Sequence, residues 1–151
     1  MSQQPDRSEK NENKSWEYAT KVTYLERPAS TDETSIAKVI ESYLMAHARG
    51  DLGILRSHLV DTAIIEVEHG QRKLTREEFL VYTERYRPTI RKLYFLDLEI
   101  RVTTPEYAVA SYICHRQHVG SNSFHVTRRL FRFTKNLSNQ EWHIIHSICL
   151  D

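Results

Sequence analysis

Residues 96–103, LDLEIRVT, decide the fold. Leu96, Leu98, Ile100 and Val102 alternate with Asp97, Glu99, Arg101 and Thr103, the period of two expected of a strand with one face covered and one in water. Downstream the pattern continues. Thr104-Pro105-Glu106 reads as a turn, Tyr107 to Val119 as a strand and Gly120-Ser121-Asn122 as a turn. Ser123 to Thr134 is a further strand, Lys135 to Gln140 a loop and Glu141 to Leu150 the last strand. Hairpin-length connections make sequence neighbours sheet neighbours, so four antiparallel strands are predicted. With Ser121-Asn122 as the turn, His118 faces His125, Arg116 faces Thr127, Cys114 faces Arg129 and Tyr112 faces Phe131. That face mixes aromatic, thiol and cationic groups, as a pocket wall does. In the last strand, Trp142, Ile144, Ile148 and Leu150 are expected on one face, with Ile145 and Cys149 on the other. Apolar groups on both faces mean both are covered, the outer one by a second copy of the chain or by the N-terminal segment.

Upstream the period is helical. Ser30-x-x-Glu33 is a capping box, followed by Ile36, Val39, Ile40, Tyr43, Leu44 and His47 at helical spacing, and Gly50 supplies a left-handed stop. Asp51 to Leu59 reads as a second, shorter helix. Ala63 to His69 is a strand that turns at Gly70 into a short return, 71–74. Thr75-x-x-Glu78 is a second capping box opening a helix through Phe79, Leu80, Tyr82, Thr83 and Tyr86, which Pro88 ends. The prediction is an α+β domain over residues 31–151, with a long twisted sheet curling around three helices of the N-terminal half and leaving a hollow between. Residues 1–30 form a polar tail. Met1 to Lys14 lacks the apolar content to order itself, whereas Trp16, Tyr18, Val22, Tyr24 and Leu25 mark 15–26 as a segment that docks on the domain or on a partner subunit.

Composition excludes several classes. The 151 residues carry a net charge of +1 with basic and acidic groups interspersed, which gives no electrostatic case for nucleic acid or an anionic membrane surface. There is no apolar run of membrane-spanning length and no apolar signal-peptide core, so a cytoplasmic location is expected. Cys114 and Cys149 have no metal-ligand spacing and read as reduced thiols. His115-x-x-His118 and His143-x-x-His146 lie on predicted strands, where odd spacing sends the rings to opposite faces, so no metal site is expected. Nucleotide-loop, dinucleotide and nucleophile-elbow motifs are absent, and no cofactor is expected.

Three stretches resemble the NTF2-like superfamily, which includes SnoaL-type polyketide cyclases, ketosteroid isomerases and the kinase association domain. They are Tyr43-Leu44-Met45-Ala46-His47 running into Gly50-Asp51-Leu52; Asp61 to Gly70 followed by Thr75-Arg76-Glu77-Glu78-Phe79; and the ending Trp142-His143-Ile144-Ile145-His146-Ser147. The resemblance implies a cone-shaped (cystatin-like) fold with a curved antiparallel sheet. Thr127-Arg128-Arg129 with the Trp142 ending looks most like the association domain of calcium/calmodulin-dependent kinase II, which implies an arginine-lined pocket and self-assembly. The arginine positions of that pattern fall at Cys114, at Arg128 or Arg129, and at Cys149, so one of three is kept.

The functional expectation is a domain that binds a small hydrophobic or acidic organic ligand in its cone and forms a homo-oligomer, expected to be a dimer. The rivals are a cofactor-independent isomerase, dehydratase or polyketide-cyclase type enzyme using the same hollow, and a pure oligomerisation module. The candidate acid/base residues are Tyr43, His47 and Tyr112, because a phenol or imidazole in a dry pocket can exchange protons with a substrate. Glu66, Cys114, Arg116, Arg129 and Cys149 are the candidate ligand-binding residues. An acid and a base facing each other across the hollow favour the enzyme; a cation among apolar residues favours an acidic ligand.

Overall fold

The computed structural model describes residues 30–87 and 89–150, together with the backbone of residues 17–22. Its elements in chain order are β1 (Glu17–Val22), α1 (Thr31–Arg49), α2 (Leu52–His58), β2 (Leu59–Val67), β3 (Arg72–Thr75), α3 (Arg76–Arg85), β4 (Ile90–Thr104), β5 (Tyr107–His118), β6 (His125–Asn136) and β7 (Glu141–Cys149). The readings of 1–14 and of the Trp16, Tyr24 and Leu25 side chains fall outside the described residues. Within residues 15–26, the backbone of β1 pairs with β4.

Both capping boxes form in full. Ser30 Oγ accepts from the Glu33 N–H at 3.1 Å while Glu33 Oε1 accepts from the Ser30 N–H at 2.8 Å, and Thr75 and Glu78 make the same pair at the start of α3. Each arrangement satisfies two of the orphan donors at a helix start. Gly50 ends α1 at φ 72, a conformation in which a Cβ crowds the carbonyl. Asp51 caps α2 by accepting from the Ile54 N–H at 3.2 Å.

Ile36, Ile40 and Tyr43 on α1 are 5% exposed or less, and they share one core with Phe95, Phe131, Phe133 and Ile144 from the sheet. Trp142 ties the two layers together. Its indole N–H donates to Asp32 Oδ1 at 3.0 Å, and Lys135 Nζ reaches the same oxygen at 3.1 Å. Lys135 and Trp142 are direct cross-strand partners. The start of α1 is therefore pinned to the β6–β7 hairpin by a charge-assisted pair of donors.

Among the described residues the sheet has seven strands in the order β1-β4-β5-β6-β7-β2-β3. The four long strands are antiparallel neighbours, as expected. The sheet as a whole is curved, unclosed and mixed rather than antiparallel, because β2 pairs with β7 and β1 with β4 in parallel. Hairpins join only antiparallel neighbours; these two pairs join segments far apart in sequence. Bulges bend it. One lies at Asp97, φ 53, where the register with β5 slips between Leu96 and Glu99. It places Leu96 opposite Ile113 and separates it from the face that carries Leu98.

A second bulge sits in β7, where Phe133 pairs with Ile144 but Arg132 pairs with His146. Ile145 is the extra residue. It reverses the facing of everything after it, so Trp142 and Ile144 share the inner face with Ser147 and Cys149, while Ile148 pairs with Leu130 on the outer one. The expected grouping of Ile148 and Leu150 with Trp142 is corrected accordingly. So is the expected separation of His143 from His146: both lie on the outer face. They serve different partners, His143 Nδ1 lying 3.2 Å from the Ser57 carbonyl and His146 Nε2 3.5 Å from Glu66 Oε2.

Candidate functional site

Between the helices and the inner face of the sheet lies a cavity of about 350 Å³. The alternation of β5 sends Tyr112, Cys114, Arg116 and His118 to this side, and β6 contributes Thr127 and Arg129. The observed pairs are Arg116 with His125, Cys114 with Thr127 and Tyr112 with Arg129. The expected register is thus displaced by two residues, because the β5–β6 connection spans 119–124 and is not a two-residue turn. Ser121 Oγ accepts from the Ser123 N–H at 3.2 Å within it, and the Val119 N–H donates to the Thr89 carbonyl at 2.7 Å. A slip of two preserves which face each side chain occupies, so the pocket wall survives the error.

Six of the eight candidate residues come together in the lining: Tyr43, His47, Tyr112, Cys114, Arg116 and Arg129. The other two, Glu66 and Cys149, lie off it. Ile65 and Val67 face inward on β2, and the strict alternation turns Glu66 away. Its Oε1 accepts from the Cys149 N–H at 3.1 Å. Cys149 faces the inner side but abuts the β2–β3 turn, where a Cβ on Gly70 would stand 3.9 Å from its own. These two residues fasten the end of β7 to β2. Cys114 and Cys149 lie on strands separated by β6 and are not joined in a disulfide.

The cavity has an aromatic floor. Tyr43 meets Phe131 edge-on with centroids 5.3 Å apart, Tyr112 packs on Phe95 and Phe131 at 5.0 and 5.5 Å, and the His47 ring stacks on Phe79 at 6.0 Å. Among the described residues three arginines line the cavity: Arg87 is exposed at its rim, and the guanidiniums of Arg116 and Arg129 enter the apolar surrounding. Arg129 Nη1 donates to the Glu66 carbonyl at 3.0 Å and to Ser147 Oγ at 3.1 Å. Arg116 Nη2 lies 3.5 Å from Thr127 Oγ1, and its buried Nε has no acceptor. Among the described residues neither guanidinium is paired with a carboxylate. Arg128, the neighbour in sequence, is exposed on the other face. Of the arginine positions implied by the kinase-type resemblance, Arg129 reaches the cavity, and the second guanidinium comes from Arg116, which that pattern does not mark.

Burial and the two positive charges set the protonation states. His47 is pushed down to about 3, first by desolvation and then by Arg116 and Arg129, so its imidazole is neutral near pH 7. Desolvation raises both Tyr43 and Tyr112 above the ordinary phenol range, and burial raises the Cys114 thiol. All four groups are uncharged near pH 7. Glu68 supplies a carboxylate at the rim, where it accepts from Arg72 and from the Tyr82 hydroxyl, each at 3.2 Å. The described residues include no cluster of three His, Cys, Asp or Glu side chains suited to a metal ion.

Thr83, His118, Thr127 and Ser147 also line the cavity, and sequence reading did not single them out as site residues. For Thr127 a signal was available, since it shares the parity of Arg129. His118 was visible as the inward member of its pair with His115, which packs against Phe124 on the outer face. Thr83 sits on a helix among apolar neighbours, and nothing in its spacing separates it from core.

The architecture is the NTF2-like fold, with a cavity between sheet and helices. Among similar solved structures are an NTF2-like protein from Cytophaga hutchinsonii (TM-score 0.65, 17% identity, covering 80% of this chain and 97% of that one) and a ketosteroid isomerase-like protein from Erwinia carotovora atroseptica (TM-score 0.62, 14% identity, 81% and 98% covered). A protein resembling the association domain of calcium/calmodulin dependent protein kinase II, from Xanthomonas campestris, has a TM-score of 0.66 at 18% identity, with 82% and 90% covered. No protein-family model matches the sequence, and no curated protein matches it either. No helix among the described residues is long and apolar enough to cross a membrane.

Proposed function

We propose that this chain binds a small acidic organic ligand, a carboxylate on an aromatic or alicyclic body, inside its cone. One observation carries the reading: Arg116 and Arg129 project into an aromatic-floored cavity without a carboxylate partner among the described residues. Removing a cation from water is costly unless a counter-ion accompanies it. A ligand carboxylate supplies that counter-ion and takes charge-assisted hydrogen bonds from both guanidiniums, while the rings of Phe79, Tyr43 and Tyr112 cover its body. A cavity of about 350 Å³ falls in the range of small-molecule sites.

The same inventory weighs against proton-transfer catalysis, the rival reading. The described lining contains one carboxylate, Glu68, and that group is already engaged at the rim. The test uses naphthoate and its uncharged counterpart naphthalenemethanol, with binding followed by calorimetry. Naphthoate binds the wild type, and Arg129→Met lowers its affinity by about tenfold or more, the scale of one charged hydrogen bond. Equal affinity for the two compounds defeats the proposal.

Self-association is the second element of the reading. On the outer face of the sheet, Val126 and Leu150 are 47% and 45% exposed, and Leu130 pairs directly with Ile148. These apolar side chains, with the exposed Arg128 between Val126 and Leu130, suit a second copy of the chain in an isologous contact. Ile148→Glu yields monomers in sedimentation, and a wild-type chain that sediments as a monomer ends the idea.

A further inference from the structure

Thr83 lies on the cavity side of α3 and is 1% exposed. Its hydroxyl oxygen is buried and has no hydrogen-bond partner. Threonine inside a helix commonly returns its hydroxyl to the carbonyl four residues back; here that is the carbonyl of Phe79, and the bond is not made. A valine would fill the same space with no unmet polar atom, and an unsatisfied buried hydroxyl lowers the stability of the fold. The Arg116 Nε is in the same condition in the same lining. Two residues that line one cavity thus each carry a buried, unpartnered polar atom, and a small reorientation of either side chain toward an occupant would satisfy it. Arg116 calls for an anionic oxygen. Thr83, which both donates and accepts, calls for a separate neutral oxygen.

Resting on the acidic-ligand reading above, the geometry points to Thr83 as a specificity-determining residue that reads a hydroxyl or carbonyl oxygen on the body of the carboxylate, so that the ligand class is hydroxy- or oxo-substituted cyclic carboxylic acids. A site built to hydrogen-bond one ligand oxygen discriminates strongly against the analogue that lacks it, because the protein group is then left buried and unpaired. Apolar lining alone discriminates weakly, and the guanidiniums accept any carboxylate. Thr83 thus separates the oxygenated acid from its plain hydrocarbon counterpart.

The experiment compares naphthoate with a set of its ring-hydroxylated isomers on the wild type, Thr83→Val and Thr83→Ser. At least one isomer binds the wild type about tenfold more tightly than naphthoate, the scale of one buried hydrogen bond. Thr83→Val removes that advantage, so that it binds the hydroxylated isomer and naphthoate alike, and Thr83→Ser retains it. In the ligand-free protein, Thr83→Val raises the melting temperature by about 2–4 °C, since it deletes an unmet polar atom. A lower melting temperature for Thr83→Val shows that the hydroxyl already has a partner and overturns the inference. So does an isomer advantage that persists in Thr83→Val, or the lack of any advantage in the wild type. Failure of the wild type to bind naphthoate at all is the separate signature that the acidic-ligand reading is wrong.

Discussion

Replacing His47 by phenylalanine tests the electrostatics of the cavity without a ligand. The imidazole stacks on Phe79 with an interplanar angle of 11°, a contact that phenylalanine can reproduce, so the substitution chiefly removes the titratable group. In the folded chain His47 titrates at about 3, against its ordinary 6.5. Below pH 6.5 the unfolded chain therefore binds a proton that the native state refuses, and acidification favours unfolding. The resulting slope approaches about 1.4 kcal/mol per pH unit, and integration from pH 7 to pH 5 gives at most about 2 kcal/mol. Urea unfolding at the two pH values measures it. The wild type loses about 2 kcal/mol more than His47→Phe over this interval, or about 4–8 °C in melting temperature. Only the difference between the two proteins is used, which cancels His58 and His125, whose values are also lowered by burial. Equal losses in both proteins mean that His47 protonates freely in the fold, and that the cavity is neither as dry nor as cationic as described.

Trp142→Phe removes the indole donor to Asp32 and is expected to cost about 1.5–3 kcal/mol, the range for a hydrogen bond to a charged group. A urea midpoint within error of the wild type contradicts the pinning of α1 to the β6–β7 hairpin. Gly50→Ala places a Cβ at φ 72, only 2.5 Å from Arg87 Nε, and costs about 1–2 kcal/mol for the left-handed backbone alone. Because Arg87 Nη2 donates to the Arg49 carbonyl at 2.7 Å, displacement of this rim residue also alters naphthoate affinity, which calorimetry reads. Thr75→Ala removes the cap of α3 and lowers stability by about 0.5–2 kcal/mol, measured by thermal unfolding.

Local signals carried far in this chain. Each capping box involves atoms three residues apart, so Ser30-Glu33 and Thr75-Glu78 were legible from spacing, and the same holds for Gly50 as a stop. The two-residue period identified the long strands, and with them the shared face of Tyr112, Cys114, Arg116 and Arg129, though not that this face is the inner one. These features depend on backbone geometry within a few residues, which sequence encodes directly.

Tertiary structure decided the rest. Ile145 and Asp97 carry no composition that marks them as bulges, yet the bulge at Ile145 alone moved Ile148 to the outer face and brought His143 and His146 to one side. The parallel seating of β2 on β7 joins residues some eighty apart in the chain, and it is this seating that ties Glu66 to Cys149. The unmet hydroxyl of Thr83 and the absence of a described counter-ion for Arg116 are properties of what surrounds an atom in space. A sequence states which groups a chain possesses; which of them are left unpartnered, and so able to bind something else, is settled when distant segments pack.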